Sequence, residues 1–209
     1  MLANLTGIDL AVVLLSIIVA LSIHEAMHAY TAHWLGDTTA HDMGRLTLNP
    51  LKHIDALTTV LLPMVLILSG LPPFFIAKPV PFNPDRVRYE EFGAALVGVA
   101  GPLTNLVLAG AAALVFRATG ADIGSSFHNA LIIFTEVNIG FFIFNMIPFP
   151  PLDGSRLLFA FAPEPLQRFM LQIEAFGFVG IIIFMLLVFQ FIAGPVLSIE
   201  NSILTFLLG

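Results

Sequence analysis

Long apolar runs alternate with short polar connections along this chain of 209 residues. A helix needs about 20 predominantly apolar residues to cross a bilayer, and the first, third, fourth and fifth runs are long enough. The runs cover residues 8–35, 56–76, 92–116, 127–148 and 168–193, and a shorter hydrophobic tail follows at 195–208. The pattern predicts an all-α integral membrane protein with four main transmembrane helices and a C-terminal hydrophobic helix.

The second apolar run does not fit a simple span. Its apolar part, residues 56–69, is short, contains Pro63 and leads into the sequence Gly70-Leu71-Pro72-Pro73. Prolines and glycine in this arrangement cannot continue a helix. We therefore predict that residues 56–76 form a re-entrant or peripheral hydrophobic segment.

The polar connections on either side of this run contain two segments that each close on Asn-Pro, at 44–50 and 76–84. Both segments combine β-branched residues with turn formers, which favours extended backbone. We expect short edge strands there. They would be suited to hold a substrate in an extended conformation by strand addition.

The composition excludes several classes of protein. Hydrophobic residues make up 58% of the chain and charged residues only 11%, whereas about a quarter of an average soluble domain is charged. The absence of cysteine excludes disulfides and thiolate metal sites. A net charge of −6 offers no basic surface for nucleic acid. No internal repeat or linker is visible, so we expect a single domain over residues 1–209.

The sequence His24-Glu25-Ala26-Met27-His28 lies inside the first apolar run. On a helix His24 and His28 are one turn apart on the same face, where two imidazoles can share one Zn²⁺ ion. Glu25 beside them is a candidate general base. The alternative is a pair of histidines that pack between helices. Charged groups in a bilayer cost on the order of 3 kcal/mol each, so the cluster needs a compensating partner, and a metal ion supplies one.

A catalytic zinc ion needs a third protein ligand, and Asp153 is the best candidate. Prolines at 148, 150 and 151 end the preceding apolar run, so irregular backbone comes to membrane depth, where it must be covered by protein or water. Gly154 then lets the chain turn. The alternative is that Asp153 caps a helix over residues 155–161.

Three motifs in this order resemble the site-2 protease family of intramembrane zinc metalloproteases. They are His24-Glu25-x-x-His28, Gly101-Pro102-Leu103-Thr104-Asn105 and the Asn145-x₇-Asp153-Gly154 motif. The connections at 36–55 and 78–81 are similar to those of its small prokaryotic members, so the resemblance covers roughly residues 20–160. One departure is Gly154-Ser155-Arg156, where the family often has Gly-Gly-Arg.

The resemblance implies a function for individual residues. His24, His28 and Asp153 would hold one zinc ion per chain, Glu25 would activate the attacking water, and Asn145 would orient substrate or the oxyanion. Some family members also carry a PDZ or CBS domain, and 209 residues leave no room for either.

The connectivity of the spans can be tested by parity. For the two histidines and Asp153 to meet, the first and fourth runs must point the same way across the bilayer, so the second run must not cross. Seven of the eight Lys and Arg residues then share one side and only Arg117 lies opposite, instead of a 3:5 split. The positive-inside rule therefore predicts an N-terminus outside a prokaryotic cell membrane and a metal site nearer the cytoplasmic face.

Several other polar residues in the sequence have more than one interpretation. His33, His41 and His53 could be metal ligands, but we interpret them as surface or loop histidines. Glu136 lies about 25 Å of helix before Asp153, too far for the same metal, and reads as a helix-pairing or channel-mouth group. Asn105 would contact substrate or bond between helices, while Gly93, Gly98, Gly101 and Gly110 favour close helix packing.

These observations predict zinc-dependent hydrolysis of a transmembrane helix of a membrane-protein substrate within the lipid bilayer. The alternative is a non-proteolytic membrane metal-binding protein, namely a transporter, a sensor or a protease-like scaffold. A transport site needs ligands but no base that stands free of the metal, so Glu25 favours hydrolysis.

Overall fold

The computed structural model describes residues 7–53, 61, 78–119 and 125–209, and its regular structure is helical. Two 3₁₀ turns, Pro50–Lys52 and Pro84–Arg86, lie in the polar connections, and the π-helical stretch Phe184–Phe189 joins the last two helices. The helices are α1 (Gly7–Trp34), α2 (Thr39–Asp42), α3 (Glu90–Thr119), α4 (Ser126–Asn145), α5 (Gly154–Phe161), α6 (Glu164–Glu174), α7 (Gly177–Ile183) and α8 (Gln190–Leu208).

Among the described residues, four helical stretches are long and apolar enough to cross a membrane: Gly7–Trp34, Glu90–Thr119, Ser126–Asn145 and Val179–Leu208. They match the prediction of four main spans. The protein is therefore a multi-pass membrane protein by the length and composition of its helices.

The boundaries predicted for the last span were wrong. The run at 168–193 begins in α6, a helix that carries polar residues along one side, and the chain turns at Gly177, whose φ is +52°. The hydrophobic tail is no separate helix, because the last candidate span continues through Pro195 to Leu208. A proline is tolerated in such a span when neighbouring groups satisfy the freed carbonyl.

The prediction of edge strands was also wrong, since the described parts of 44–50 and 76–84 contain no strand. Pro79 and Pro81 have no N–H to give to a ladder. The amide between them, Val80 N–H, donates to the side chain of Glu25 instead of to a neighbouring strand. The connection is held by side chains rather than by strand pairing.

The segment predicted to be re-entrant, 56–76, lies outside the described residues except for Leu61. The residues that flank this part of the chain are hydrogen bonded to each other, because the amide of Lys78 donates to the carbonyl of His53 at 2.9 Å. The two described residues that flank this part of the chain, His53 and Lys78, are therefore neighbours in space.

Helices α1, α3 and α4 pack against one another and form the centre of the protein. Their contacts are lined by small side chains, which let backbones approach closely where lipid offers no hydrophobic drive for association. Alanines on α1 and α3 that are fully or nearly fully buried include Ala20, Ala26, Ala29, Ala32, Ala109 and Ala113.

Gly98 is one of the glycines expected to serve helix packing. A Cβ on Gly98 would lie 2.8 Å from Cβ of Arg156, so only glycine lets α3 approach α5 this closely. Gly110 does not share that role, because a Cβ there would meet nothing within 4 Å.

Candidate metal centre

His24, His28 and Asp153 bring three potential ligand atoms to one point. Nε2 of His24 lies 3.0 Å from Nε2 of His28 and 3.0 Å from Oδ2 of Asp153, and the distance from His28 Nε2 to that oxygen is 3.4 Å. Both histidines are buried, with 4% and 9% of their surface exposed. Helix α1 supplies the two imidazoles from successive turns, and the connection between α4 and α5 supplies the carboxylate.

The far side of each imidazole is occupied by an acceptor. Nδ1–H of His24 donates to Oδ1 of Asn105 at 2.6 Å, and Nδ1–H of His28 donates to the carbonyl of Val97 at 2.7 Å. An imidazole that keeps its proton on Nδ1 presents a lone pair on Nε2. Three atoms with lone pairs therefore face one another.

This donor set fits a zinc ion. A tetrahedral zinc ion with ligands at about 2.0–2.1 Å holds its ligand atoms about 3.3–3.4 Å apart, close to the 3.0–3.4 Å separations found here. A cation also removes the repulsion among the three acceptors. In the described part of the chain, these three residues are the group of histidine and acidic side chains that could hold a metal ion.

Asn105 also belongs to the site. From the sequence its side chain was expected either to contact substrate or to form a hydrogen bond between helices. It is fully buried, and its Nδ2 donates to Oδ1 of Asn138 at 2.9 Å and to the carbonyl of Ala20 at 3.3 Å. These bonds fix the carboxamide so that its oxygen faces His24. Asn105 thus links α1, α3 and α4 and orients the ring of His24. A polar amide within an apolar run was the feature of the sequence that pointed to such a role.

Gly101 also shapes the site, although from the sequence it was expected only to allow close helix packing. A Cβ at this position would lie 2.5 Å from Nε2 of His28 and 2.7 Å from Nε2 of His24. The two nitrogens therefore occupy the space that any other side chain on α3 would need. The absence of a side chain at residue 101 is a condition for the arrangement of ligand atoms.

Glu25 follows His24 on α1, and its side chain is hydrogen bonded outside the group of ligand atoms. Its Oε2 accepts a hydrogen bond of 2.8 Å from the amide of Val80. The carboxylate therefore has a fixed position and is not one of the three clustered groups.

Asp153 occupies the position before α5, yet its side chain makes no capping bond to that helix. Its carboxylate turns to the histidines instead, so the alternative of a helix cap was wrong. Asn145 ends α4, and its Nδ2 donates to the carbonyl of Phe141 one turn earlier. Its bond in this structure thus stays within α4.

Three of the other histidines, those that lie between α1 and the second apolar run or at the end of α1, make other contacts. His53 Nε2–H donates to the carbonyl of Thr47, while the exposed His41 bonds to Asp42 and stacks on His33 with ring centroids 5.6 Å apart. None of the three belongs to the group of ligand atoms found among the described residues.

Glu136 lies on the face of α4 that contacts α8. One turn later on that face is Gly140, where a Cβ would lie 3.7 Å from Oε1 of Glu200. This placement supports the helix-pairing interpretation of Glu136.

Asp37 anchors the connection that follows α1 and lies outside the candidate spans. It is fully buried, and its carboxylate accepts bonds from the amide and hydroxyl of Thr39 and from the amide of Asn83. Burial raises the pKa of Asp37, but these bonds and nearby Arg86 outweigh it and hold the pKa below its usual value. Asp37 therefore ties the end of α1 to the segment that carries Val80.

Comparison with known proteins places this chain in a family. No family model and no solved structure matches the chain. The chain is 35% identical over 192 residues to the "Putative zinc metalloprotease YwhC" of Bacillus subtilis, covering 88% of this chain and 84% of that protein. It is 28% identical over 170 residues to the "Putative zinc metalloprotease Rip2" of Mycolicibacterium smegmatis, covering 81% of this chain and 64% of that relative.

A third relative is "Putative zinc metalloprotease Rip2" of Mycobacterium tuberculosis strain H37Rv, 29% identical over 176 residues. The chain spans 64% of that protein, less than two thirds of its length, whereas it covers 84% of the Bacillus relative. With the likeness to YwhC extending over most of both chains, the protein belongs to the site-2 protease-like family of intramembrane metalloproteases.

Proposed function

We propose that this protein is a zinc endopeptidase that hydrolyses peptide bonds in or near the transmembrane helices of membrane-protein substrates. One observation supports the proposal most strongly: His24, His28 and Asp153 place three ligand atoms within 4.8 Å of one another, and Glu25, the residue after His24, has a carboxylate outside this group, on a helix that is apolar enough to span the membrane. The relatives are named putative zinc metalloproteases, which supports the zinc-dependent part of the proposal.

In this proposal His24, His28 and Asp153 hold one zinc ion. When bound, zinc lowers the pKa of water and polarises a carbonyl, which are the two effects that peptide hydrolysis needs. The bonds from Nδ1 to Asn105 and Val97 keep each imidazole in the tautomer that presents Nε2.

Glu25 is the proposed general base. Val80 N–H holds Oε2 of Glu25, so the carboxylate keeps one orientation while its other oxygen accepts the proton of the attacking water. Glu25 then returns that proton to the leaving amine. Asn145 would orient the substrate or the oxyanion after its amide leaves the carbonyl of Phe141.

The orientation follows from the arrangement of charge. Arg45, Arg88 and Arg156 are among the seven basic residues that share a side when α1, α3, α4 and the last span cross. We propose that this side is cytoplasmic, that the N-terminus lies outside, and that residues 1–209 form one protease domain. A substrate helix must be unwound locally before attack, because its carbonyls are hydrogen bonded.

The proposal is tested by reconstituting the purified protein into vesicles with candidate single-span substrates after its zinc content has been measured. We expect about one zinc ion per chain and cleavage at a bond within or next to the substrate's apolar stretch. A chelator should stop cleavage and added zinc should restore it. Zinc entry into vesicles without cleavage of any substrate would favour a transporter and contradict the proposal.

A further inference from the structure

The peptide unit between Pro79 and Val80 lies between Arg45 and Glu25. Its carbonyl, that of Pro79, accepts a bond of 3.3 Å from Nη1 of Arg45. Its N–H, that of Val80, donates to Oε2 of Glu25 at 2.8 Å. Since a peptide unit is planar and rigid, a group that holds the carbonyl also sets the direction of the N–H.

Arg45 is built into the protein and is not a surface cation. Only 8% of its surface is exposed, and Nη1 also donates to the carbonyl of Lys78 at 3.3 Å. It therefore holds two successive carbonyls immediately before the amide that meets Glu25. A guanidinium on the carbonyl also polarises the peptide and strengthens its N–H as a donor.

The backbone around Val80 has few other attachments that could replace this one. Pro79 and Pro81 contribute no N–H. The amide of Lys78 bonds to the carbonyl of His53, and the amide of Asn83 bonds to Asp37. These anchors fix the two ends of the segment, whereas Arg45 fixes its middle.

We propose that Arg45 is a positioning residue for Glu25, acting through the Pro79–Val80 peptide unit. This inference rests on the proposed function of Glu25 as general base. The bonds of Arg45 go to the carbonyls of Lys78 and Pro79, so it acts on the chemistry only by setting the orientation of the Glu25 carboxylate. Weakening its hold should slow the chemical step and leave zinc binding and substrate binding in place.

The test compares Arg45→Met with Arg45→Lys, and uses Lys52→Met as the matched control, since Lys52 is an exposed cation on the same connection. We expect Arg45→Met to lower kcat about tenfold or more, the effect of one weakened bond to a charged group, with KM and zinc content near wild type. Arg45→Lys should recover part of the loss, and Lys52→Met should match wild type.

Hydrogen–deuterium exchange of the Val80 amide provides a readout that does not depend on activity. It can be read from a peptide over residues 78–83, in which Pro79 and Pro81 carry no amide hydrogen. Exchange at Val80 should accelerate in Arg45→Met and in Glu25→Ala, and should stay slow in Lys52→Met. If Arg45→Met does not accumulate, kcat and exchange of the Val80 amide are both measured on Arg45→Lys.

A double-mutant cycle separates this role from others. In a Glu25→Asp background, where the shorter side chain no longer reaches Val80, Arg45→Met should cause little further loss. An equal loss in both backgrounds, a change in KM alone, or unchanged kcat with unchanged Val80 exchange would overturn the inference. Failure of the proposed function would give a different result from failure of this inference. Wild type would then cleave no substrate, or Glu25→Gln would cleave at the wild-type rate.

Discussion

Replacing Gly101 with alanine tests the geometry of the ligand atoms at a position that carries no ligand. The new Cβ would lie 2.5 Å from Nε2 of His28 and 2.7 Å from Nε2 of His24, whereas ordinary contacts begin at 3.4 Å. Both contacts are too short, so the two nitrogens must move away from the new Cβ by about 0.9 Å and about 0.7 Å. Zinc sites tolerate about 0.2 Å in ligand distances.

We expect Gly101→Ala to weaken zinc binding at least 10- to 100-fold, the range for a disturbed ligand orientation. The matched control is Gly110→Ala on the same helix, where a Cβ would meet nothing within 4 Å. Alanine is favoured over glycine in a helix by about 0.5–1 kcal/mol, so the control should be as stable as wild type or slightly more stable.

The assay is zinc content by elemental analysis of detergent-purified protein, followed by titration against a chelator of known affinity. Thermal unfolding of the same samples reports whether the fold is retained. If Gly101→Ala binds zinc with wild-type affinity, the two Nε2 atoms do not occupy the space in front of residue 101 and the assigned ligand geometry is refuted.

Asp153→Ala should lose most of its zinc, whereas His41→Ala, which removes an exposed loop histidine, should keep it; the reverse result in elemental analysis would exclude the ligand set. Single cysteines at Thr47 and Asn83 should be labelled only from the cytoplasmic side and one at Thr119 only from outside, and labelling of 47 and 83 from opposite sides would refute the orientation. The lowered pKa of Asp37 stabilises the fold above the ordinary carboxyl pKa, and this contribution is lost as pH falls through the lowered value. Asp37→Asn should therefore cost about 1–3 kcal/mol at pH 7 and progressively less toward pH 3 in thermal unfolding, and an equal cost at both pH values would count against the assigned bonds.

The parts of this protein that the sequence predicts well are those set by local spacing. The length of the apolar runs predicts four spans, and the period of the helix puts His24 and His28 on one face. Prolines before Asp153 predict an irregular connection at the end of the fourth apolar run. Each of these conclusions depends on residues that are neighbours in the chain.

The parts that the sequence does not predict depend on contacts between distant segments. Extended residues around Val80 resemble a strand, but the partner of the amide is Glu25, 55 positions away. Gly101 resembles an ordinary packing glycine until α3 is placed against α1. The start of the last span was misjudged because α6 is apolar on one face only, which a count of apolar residues does not reveal.

The most direct test of the central claim is the zinc content and proteolytic rate of Glu25→Gln measured on one preparation. The glutamine carbonyl can still accept the bond from Val80, so the side chain keeps its place while it loses the ability to take a proton. We expect about one zinc ion per chain and a cleavage rate lowered by a factor of about 100 or more. Cleavage at the wild-type rate with zinc retained would contradict the assignment of Glu25 as the base and, with it, the proposed mechanism.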